Sequence, residues 1–532
     1  VRFRKVTAIA ATAFLAVGLG LSACSTESDD CPDCVTTFAG EPQHPLLPSN
    51  TNENMGGRVV DRLWAGLRYY DADGGVHDEV AESITTTDQK NFTVTIKPDW
   101  KFTDGSAVTA KSFVDAWNYG ALSTNAQVQS YAFGQIAGFD EVSAENPTVQ
   151  TMSGLKVTGD RTFTIELKEP SIDFALGLGY APFYPLPEAA FKDMKAFGEN
   201  PIGNGPYKFV KWDHNTAIDL VPNPDYKGGR PAKNKGLRFK MYQSLETAYA
   251  DLLAGNLDTL DTIPDNALST YKQDLGDRAI TKATAQNAHI GIQPTTAHFA
   301  GAEGVLRRKA ISMSINREQI AQNIFHGTRV PARDFTSRTL PGFVDNLPGT
   351  EALTYNPEEA KRVWAQADAI APWSGTFEIA YNADGGHQAW IEAVAHSIEN
   401  TLGITATGSS YPTFKQIRDE ISGKTIGKAF RYGWQGDYPS MLQFLTAQYI
   451  STSETNDIGY NNPEFDRLIA AAQGAPTLEE SYKIIAQAQT LLLADMADVP
   501  VFDYIAAAGF SAKVRAGLAW NGLFDYENIA PA

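Results

Sequence analysis

The sequence predicts an α/β protein of two or three domains, on three observations. Its 532 residues exceed the roughly 250–300 at which a single hydrophobic core stops growing. Its composition, 43% hydrophobic and 20% charged with 28 Pro and 44 Gly, is that of an ordinary globular chain, not a collagen-like, disordered or polytopic membrane one. Segments with the two-residue period of strands are interleaved with helical ones throughout, which argues for α/β organisation over an all-β array.

The first element is a targeting segment. Arg2, Arg4 and Lys5 precede an uncharged apolar run, VTAIAATAFLAVGLGL, from Val6 to Leu21. A basic start followed by so short a run reads as a secretory signal over residues 1–23, not a membrane span. Leu21-Ser22-Ala23-Cys24 resembles the bacterial lipobox, in which cleavage before the Cys frees a thiol for lipidation. Acyl chains anchor a soluble protein without a spanning helix. Residues 24–40 then read as a flexible tether, STESDDCPDCVTT being polar and patternless. Its Cys31 and Cys34 form a CxxC without a second ligand pair or a helix to lower a thiol pKa, so a tether pair or local disulfide is expected over a zinc or redox site.

Beyond the tether, Phe92, Val94 and Ile96 share one face of NFTVTIK, and Phe163, Ile165 and Leu167 one face of TFTIELK. Leu237, Phe239 and Met241 alternate in LRFKM, after Tyr207 and Phe209 in PYKFVKW. These are strands. Asn356-Pro357 opens a helix with Ala360, Val363, Trp364 and Ala367 on its apolar stripe. Ile391, Val394, Ile398 and Leu402 mark a second helix, and Tyr482, Ile485, Ala486 and Leu493 a third. Pro and Gly cluster at 181–191, 200–207 and 221–236, as lobe crossings or long hairpin turns.

The formal charge of −18 makes nucleic acid a poor partner. No nucleophile elbow, phosphate loop, dinucleotide fingerprint or H-E-x-x-H occurs. Ser153-Gly154-Leu155-Lys156 matches S-x-x-K but lacks its S-D-N and K-T-G companions. Asp258 and Asp261 read as a solvated turn or helix end, not as acid–base machinery. No positive argument for an enzyme emerges.

In order along the chain stand GEPQHPLLPSNT (40–51), VVDRLWAGLRYYDADG (59–74), and a stretch over 81–121 that includes Trp100-Lys101-Phe102-Thr103-Asp104-Gly105. NPIGNGPYKFVKW (200–212), NPDYKGGRPAK (223–233), ETAYADLLAGNLDTL (246–260) and LRRKAISMSINREQI (306–320) follow. GWQGDYPS (433–440), YNNPEFDRLI (460–469) and DVPVFDY (498–504) complete the series. Behind a lipobox, this succession resembles the solute-binding lipoproteins of oligopeptide and dipeptide ABC transporters. The resemblance implies a two-lobed clamp with an additional third domain, closing on its ligand by a hinge. It divides the chain into lobe I (41–80 with 195–285 and 498–532), an additional domain II (81–194) and lobe III (286–497). It also implies a monomer without cofactor or metal, lipid-anchored on the extracytoplasmic face of the cell membrane. Such a protein captures oligopeptides and delivers them to an ABC permease.

Residue by residue, Asp437 matches the family's partner for the ligand α-ammonium; the alternative is an Asp opening the Asp-Tyr-Pro turn. Arg431 matches an Arg that meets the carboxylate of short peptides, with an ordinary strand-edge ion pair as the alternative. Trp434 matches a pocket-lining aromatic or else packs in the core. Ala65, Gly66 and Leu67 match a segment whose backbone pairs with the peptide, Ala65 standing where oligopeptide members often carry an acid. Tyr131 or Phe133, before GQIAGFDEV, is placed at the cleft. The family's D-Y-P-D-P is here Asp437-Tyr438-Pro439-Ser440-Met441. Other members carry metal chelates, haem or oligosaccharides, so a non-peptide solute is the alternative ligand. A secreted cell-wall peptide hydrolase using Ser153 and Lys156 is the enzyme alternative.

Overall fold

Strand Val35–Ala39 begins directly after a disulfide between Cys31 and Cys34 in the computed structural model, which describes residues 31, 33–383, 386–412, 414–453 and 455–532. The predicted signal 1–23, the lipidation site Cys24 and residues 24–30 of the tether lie outside the described residues. The tether does not reach residue 40. Val35–Ala39 runs parallel to Leu237–Met241, and Thr37 pairs with Thr259 on its other side. The β-branched Val-Thr-Thr run favours a pleated, half-buried surface, and Thr259 donates a 2.8 Å hydroxyl bond to Thr37.

That strand sits inside an eleven-stranded sheet. The sheet passes from Ala406–Tyr411 through Phe377–Asn382 and Ala429–Tyr432 to two long central strands, Ala279–Gly291 and Val499–Phe510. It continues through Thr259–Leu260, Val35–Ala39, Leu237–Met241 and Ala217–Pro222 to Tyr207–Asp213, while Arg329–Pro331 pairs separately with Val499–Phe510. The two long strands are antiparallel, and their register breaks between Ala283 and Asn287 and again between Ala288 and His289. One lobe lies on each side of this break, each with its own buried clusters.

Local chemistry explains the predicted helices. Helix Pro357–Asp368 is capped by Asn356, whose side chain accepts the Glu359 N–H at 3.2 Å. Its Ala360, Val363, Trp364 and Ala367 are all buried. Gln388–Leu402 likewise buries Ile391, Val394 and Ile398. In Leu478–Asp495 the buried stripe runs through Ser481, Ile485, Ala488, Leu492 and Leu493, leaving the predicted Tyr482 and Ala486 at its edge.

A separate four-stranded antiparallel sheet is ordered Ala81–Thr86, Asn91–Ile96, Thr162–Glu166, Leu155–Gly159. Phe92, Val94, Ile96, Phe163 and Ile165 point into one core with Trp117 of helix Ala110–Ala121. Ser153 and Lys156 are exposed at the edge of this sheet, outside every cavity described below.

The Pro/Gly runs divide in kind. Residues 223–236 are the long loop of an antiparallel hairpin, whereas 181–191 is largely buried as short 3-10 turns. Residues 200–207 lead into strand Tyr207–Asp213 and clamp the end of helix Asn54–Leu63. There the buried Asn204 side chain accepts the Ala65 N–H and donates to the Ala65 carbonyl, both at 3.0 Å. A Cβ on Gly203 would stand 1.8 Å from the Leu63 carbonyl oxygen. Backbone cannot yield as a flexible side chain would, so Gly203→Ala is expected to cost about 2–4 kcal/mol, read as a lowered denaturation midpoint; a loss under about 0.5 kcal/mol would contradict the clamp.

Asp258 and Asp261 are not solvated. Asp258 accepts the Thr36 N–H at 3.0 Å and the Ser511 hydroxyl at 2.8 Å. Asp261 forms a buried 3.0 Å ion pair with Arg58. The Asp spacing in sequence carries no signal of the distant partners that bury them.

Candidate functional site: a cleft at the strand break

The register break in the central strands is where the site is built. Over Ala285–Asn287 the long strand bonds to the segment Gly433–Asp437 instead of its usual neighbour. Asn287 donates its N–H to the Trp434 carbonyl at 3.0 Å, and its side-chain oxygen accepts the Trp434 N–H at 2.8 Å. Gly436 donates to the Ala285 carbonyl at 2.8 Å. The approach is close enough that a Cβ on Gly433 would lie 2.2 Å from the Asn287 carbonyl oxygen. Helix Asn54–Leu63 forms the opposite wall. Glu53 caps it by accepting the Met55 and Gly56 N–H groups. Asn54 reaches across to the Gln435 side chain at 3.4 Å.

The cavity between these walls is about 340 Å³ and contains Asp437, Trp434, Tyr131, Tyr180, Tyr70 and Asp61. The Asp437 carboxylate accepts the Gln443 amide at 2.9 Å and bonds the Tyr180 hydroxyl. Both partners are neutral, and no cation pairs with Asp437 among the described residues. Desolvation in the cleft pushes its carboxyl up to about 7. The turn that follows is capped by Ser440, whose hydroxyl accepts the Leu442 N–H at 3.2 Å. Asp437 is thus left facing the cavity rather than serving that turn.

Trp434 is half-buried on the wall, and its buried indole N–H has no partner among the described residues. Tyr131 stands at the mouth, half exposed, its hydroxyl 3.5 Å from that of Tyr180. Arg431 is on strand Ala429–Tyr432, donates to Asn382 at 3.0 Å and lies over Phe414. It lines a second cavity of about 280 Å³ that shares only Gly433 and Trp434 with the first.

Ala65, Gly66 and Leu67 require correction. All three are buried and line none of these cavities. Both backbone groups of Ala65 are taken by Asn204. The Gly66 carbonyl accepts from Val80, and the Leu67 carbonyl from Glu79 and Ala81. The Ala65 backbone and the two carbonyls are thus engaged inside their own domain. The wall is formed instead by Thr51–Asn54, with Asp61, Tyr70, Tyr180, Trp520 and Asn521. A polar PSNTNEN run ahead of a helix was the one local signal for it.

Two further cavities open off the central one. One, of about 370 Å³, shares Asp61, Tyr70 and Trp520 with it. The other, of about 310 Å³, shares Asn54, Arg58, Gln435 and Asn521.

Two lobes joined by common strands, with an uncompensated carboxylate and aromatic faces between them, define a ligand-binding clamp. The chain belongs to the bacterial extracellular solute-binding proteins, family 5, whose middle-region model matches residues 75–456. It is 25% identical over 477 residues to the oligopeptide-binding protein OppA of Bacillus subtilis, covering 86% of this chain and 85% of that one. It is 28% identical over 459 residues to the periplasmic oligopeptide-binding protein OppA of Salmonella typhimurium, covering 84% and 82%. Among solved structures, Haemophilus influenzae OppA in complex with the peptide RPPGFSPFR superposes with a TM-score of 0.77 at 23% identity, covering 94% of this chain and 98% of that one. The Escherichia coli murein tripeptide binding protein MppA gives 0.77 at 22% identity, with 94% and 98% covered. These likenesses establish the fold.

Proposed function

We propose that this protein is a peptide-capturing receptor, held by a lipid on Cys24 at the outer face of the membrane, that delivers oligopeptides to an ABC permease. The observation that carries the reading is Asp437, a desolvated carboxylate facing the cleft with only neutral partners. An α-ammonium supplies the missing counter-charge, and a charge left unpaired in such a site costs several kcal/mol. The aromatic walls and four adjoining cavities suit variable side chains, where bridging waters adapt to whichever group arrives. Peptide-binding relatives support the same reading. In it the protein acts as a monomer, needs no cofactor and performs no chemistry.

The test is native mass spectrometry of the protein as purified from cells, followed by calorimetric titration with free and N-acetylated tri- to pentapeptides. Co-purified peptides, and a loss of about 100-fold or more on acetylation, are expected. Capture of a metal chelate, haem or oligosaccharide with no peptide binding would favour the alternative ligand class. Cleavage of the added peptides would favour the hydrolase reading.

A further inference from the structure

The turn that follows Asp437 is held from across the cleft by a second carboxylate. Asp173 is buried, in the segment between strand Thr162–Glu166 and the 3-10 turn Phe174–Gly179. One of its oxygens accepts the Ser440 hydroxyl at 3.0 Å and the Tyr438 hydroxyl at 3.2 Å. The other accepts the Ser171 hydroxyl at 3.0 Å. No cation pairs with it among the described residues. The three hydroxyls favour its charged form against the cost of burial.

The chain changes cores at this residue. Ile172 packs against the cluster that contains Met441, Ile469 and Leu493, whereas Phe174 belongs to the cluster of the four-stranded sheet. Two further bonds cross the same seam. Ile172 donates its N–H at 2.7 Å to the carbonyl of Gln473, the end of helix Pro463–Gln473, and Gln89 donates its amide to the Pro476 carbonyl at 3.4 Å. The Tyr438 ring lies against Gly177, where a Cβ would stand 3.5 Å from it. Tyr180, from the same segment, bonds Asp437 itself. One stretch of chain on the side of the four-stranded sheet therefore grips both the ligand-facing carboxylate and the turn behind it. Ser440 serves both sides, accepting the Leu442 N–H of its own helix and donating to Asp173.

We propose that Asp173 is a positioning residue for ligand capture: it clasps residues 438–440 across the cleft, fixes Asp437 in place and holds the two walls together around the ligand. The assignment rests on the capture reading above and adds to it the group that sets how long a ligand stays. A contact made only when the walls meet stabilises the closed form and slows release, leaving the encounter to other groups. Ser440→Asp sets a second carboxylate against Asp173 and opens the clasp by like-charge repulsion, with little change of volume.

The experiment compares the wild-type protein with Ser440→Asp, Asp173→Asn and the double variant Asp173→Asn/Ser440→Asp. Each is followed by small-angle X-ray scattering and by stopped-flow binding of tri- to pentaalanine. Ser440→Asp releases peptide about tenfold faster or more, with association within about threefold of the wild type, and its radius of gyration grows. Asp173→Asn moves both quantities the same way by less. In the double variant the Asn amide donates to the new carboxylate, and release returns to within about threefold of the wild type. A seam that only packs predicts additive effects and no such recovery. Additive singles, or singles that leave both radius and release rate unmoved, overturn the clasp. Misfolding of Ser440→Asp that the double variant repairs supports the pairing, and misfolding that persists overturns it. Failure of every peptide to bind the wild type overturns the peptide reading alone, and the scattering then decides the clasp.

Discussion

Replacing Asp437 by Asn lowers the affinity for peptides with a free N terminus by about 100-fold or more and raises the melting temperature of the ligand-free protein at neutral pH. Both effects come from one carboxylate. Folded, it titrates at about 7; its ordinary value is 3.8. The folded state therefore holds this proton more tightly than the unfolded chain. Below about pH 4 the group is protonated in both states and contributes nothing. As the pH rises from about 4 to 7 the unfolded chain ionises while the folded carboxyl holds its proton, so stability falls, and above 7 the loss is complete. The upper limit is about 4 kcal/mol, reduced by the solvent that still reaches the half-buried group. Asn removes this cost along with the ligand's partner.

The pH dependence of binding has the opposite slope on its acid side. A peptide ammonium needs the ionised carboxylate, so wild-type affinity falls about tenfold per unit below pH 7. It falls again above about 8 as the peptide amine loses its proton. Calorimetry across pH 5–9 should give this two-limbed profile for the wild type and only the alkaline limb for Asp437→Asn. An acid limb that survives in the variant would assign the titration to another group.

Arg317→Met is expected to destabilise the protein by about 3 kcal/mol or more while leaving the peptide affinity of the folded fraction within about threefold. Arg317 is fully buried, and all its partners are neutral oxygens. It donates to the Pro500 carbonyl at 3.0 and 2.8 Å, and to the Ser312 and Leu353 carbonyls at 2.8 Å each. It also donates to the Ser312 hydroxyl at 2.9 Å. Burial pulls its pKa down, but hydrogen bonds from a charged donor are the strong kind. They fasten the end of helix Gly301–Ser314 and the turn Thr350–Leu353 to strand Val499–Phe510. Methionine fills the space and leaves those carbonyls dry and unpaired. Denaturant unfolding followed by tryptophan fluorescence measures the loss; under about 1 kcal/mol would mean that water takes over the bonds.

Periodicity made the elements legible where one face is buried and the other wet, as in Asn91–Ile96, Thr162–Glu166 and Pro357–Asp368. It did not mark Val35–Ala39, a short strand of β-branched and aromatic residues lying under a cysteine pair that suggested a tether. For the site, the motif around Gly433–Asp437 was readable because its residues are contiguous and docked as one segment on the strand break. The facing wall was not. Asp61 and Tyr70 come from one stretch and Tyr180 and Trp520 from two others, and the three meet only in the folded chain. Ala65–Leu67 failed for another reason. Apolar sequence shows that a segment is buried, but not which of its backbone groups are already occupied, and here Asn204 occupies those of Ala65 while Val80, Glu79 and Ala81 occupy the carbonyls of Gly66 and Leu67.

Strand Val499–Phe510 has a consequence for how the protein comes into being. It bonds to Ala279–Gly291, to Thr259–Leu260 and to Arg329–Pro331, joining halves of the sheet that are built from earlier chain. In chain order it is the last strand of that sheet among the described residues. Until it emerges, each half of the sheet ends in an unpaired edge, and neither has the partner that would close it. The sheet therefore cannot close until this strand has been made.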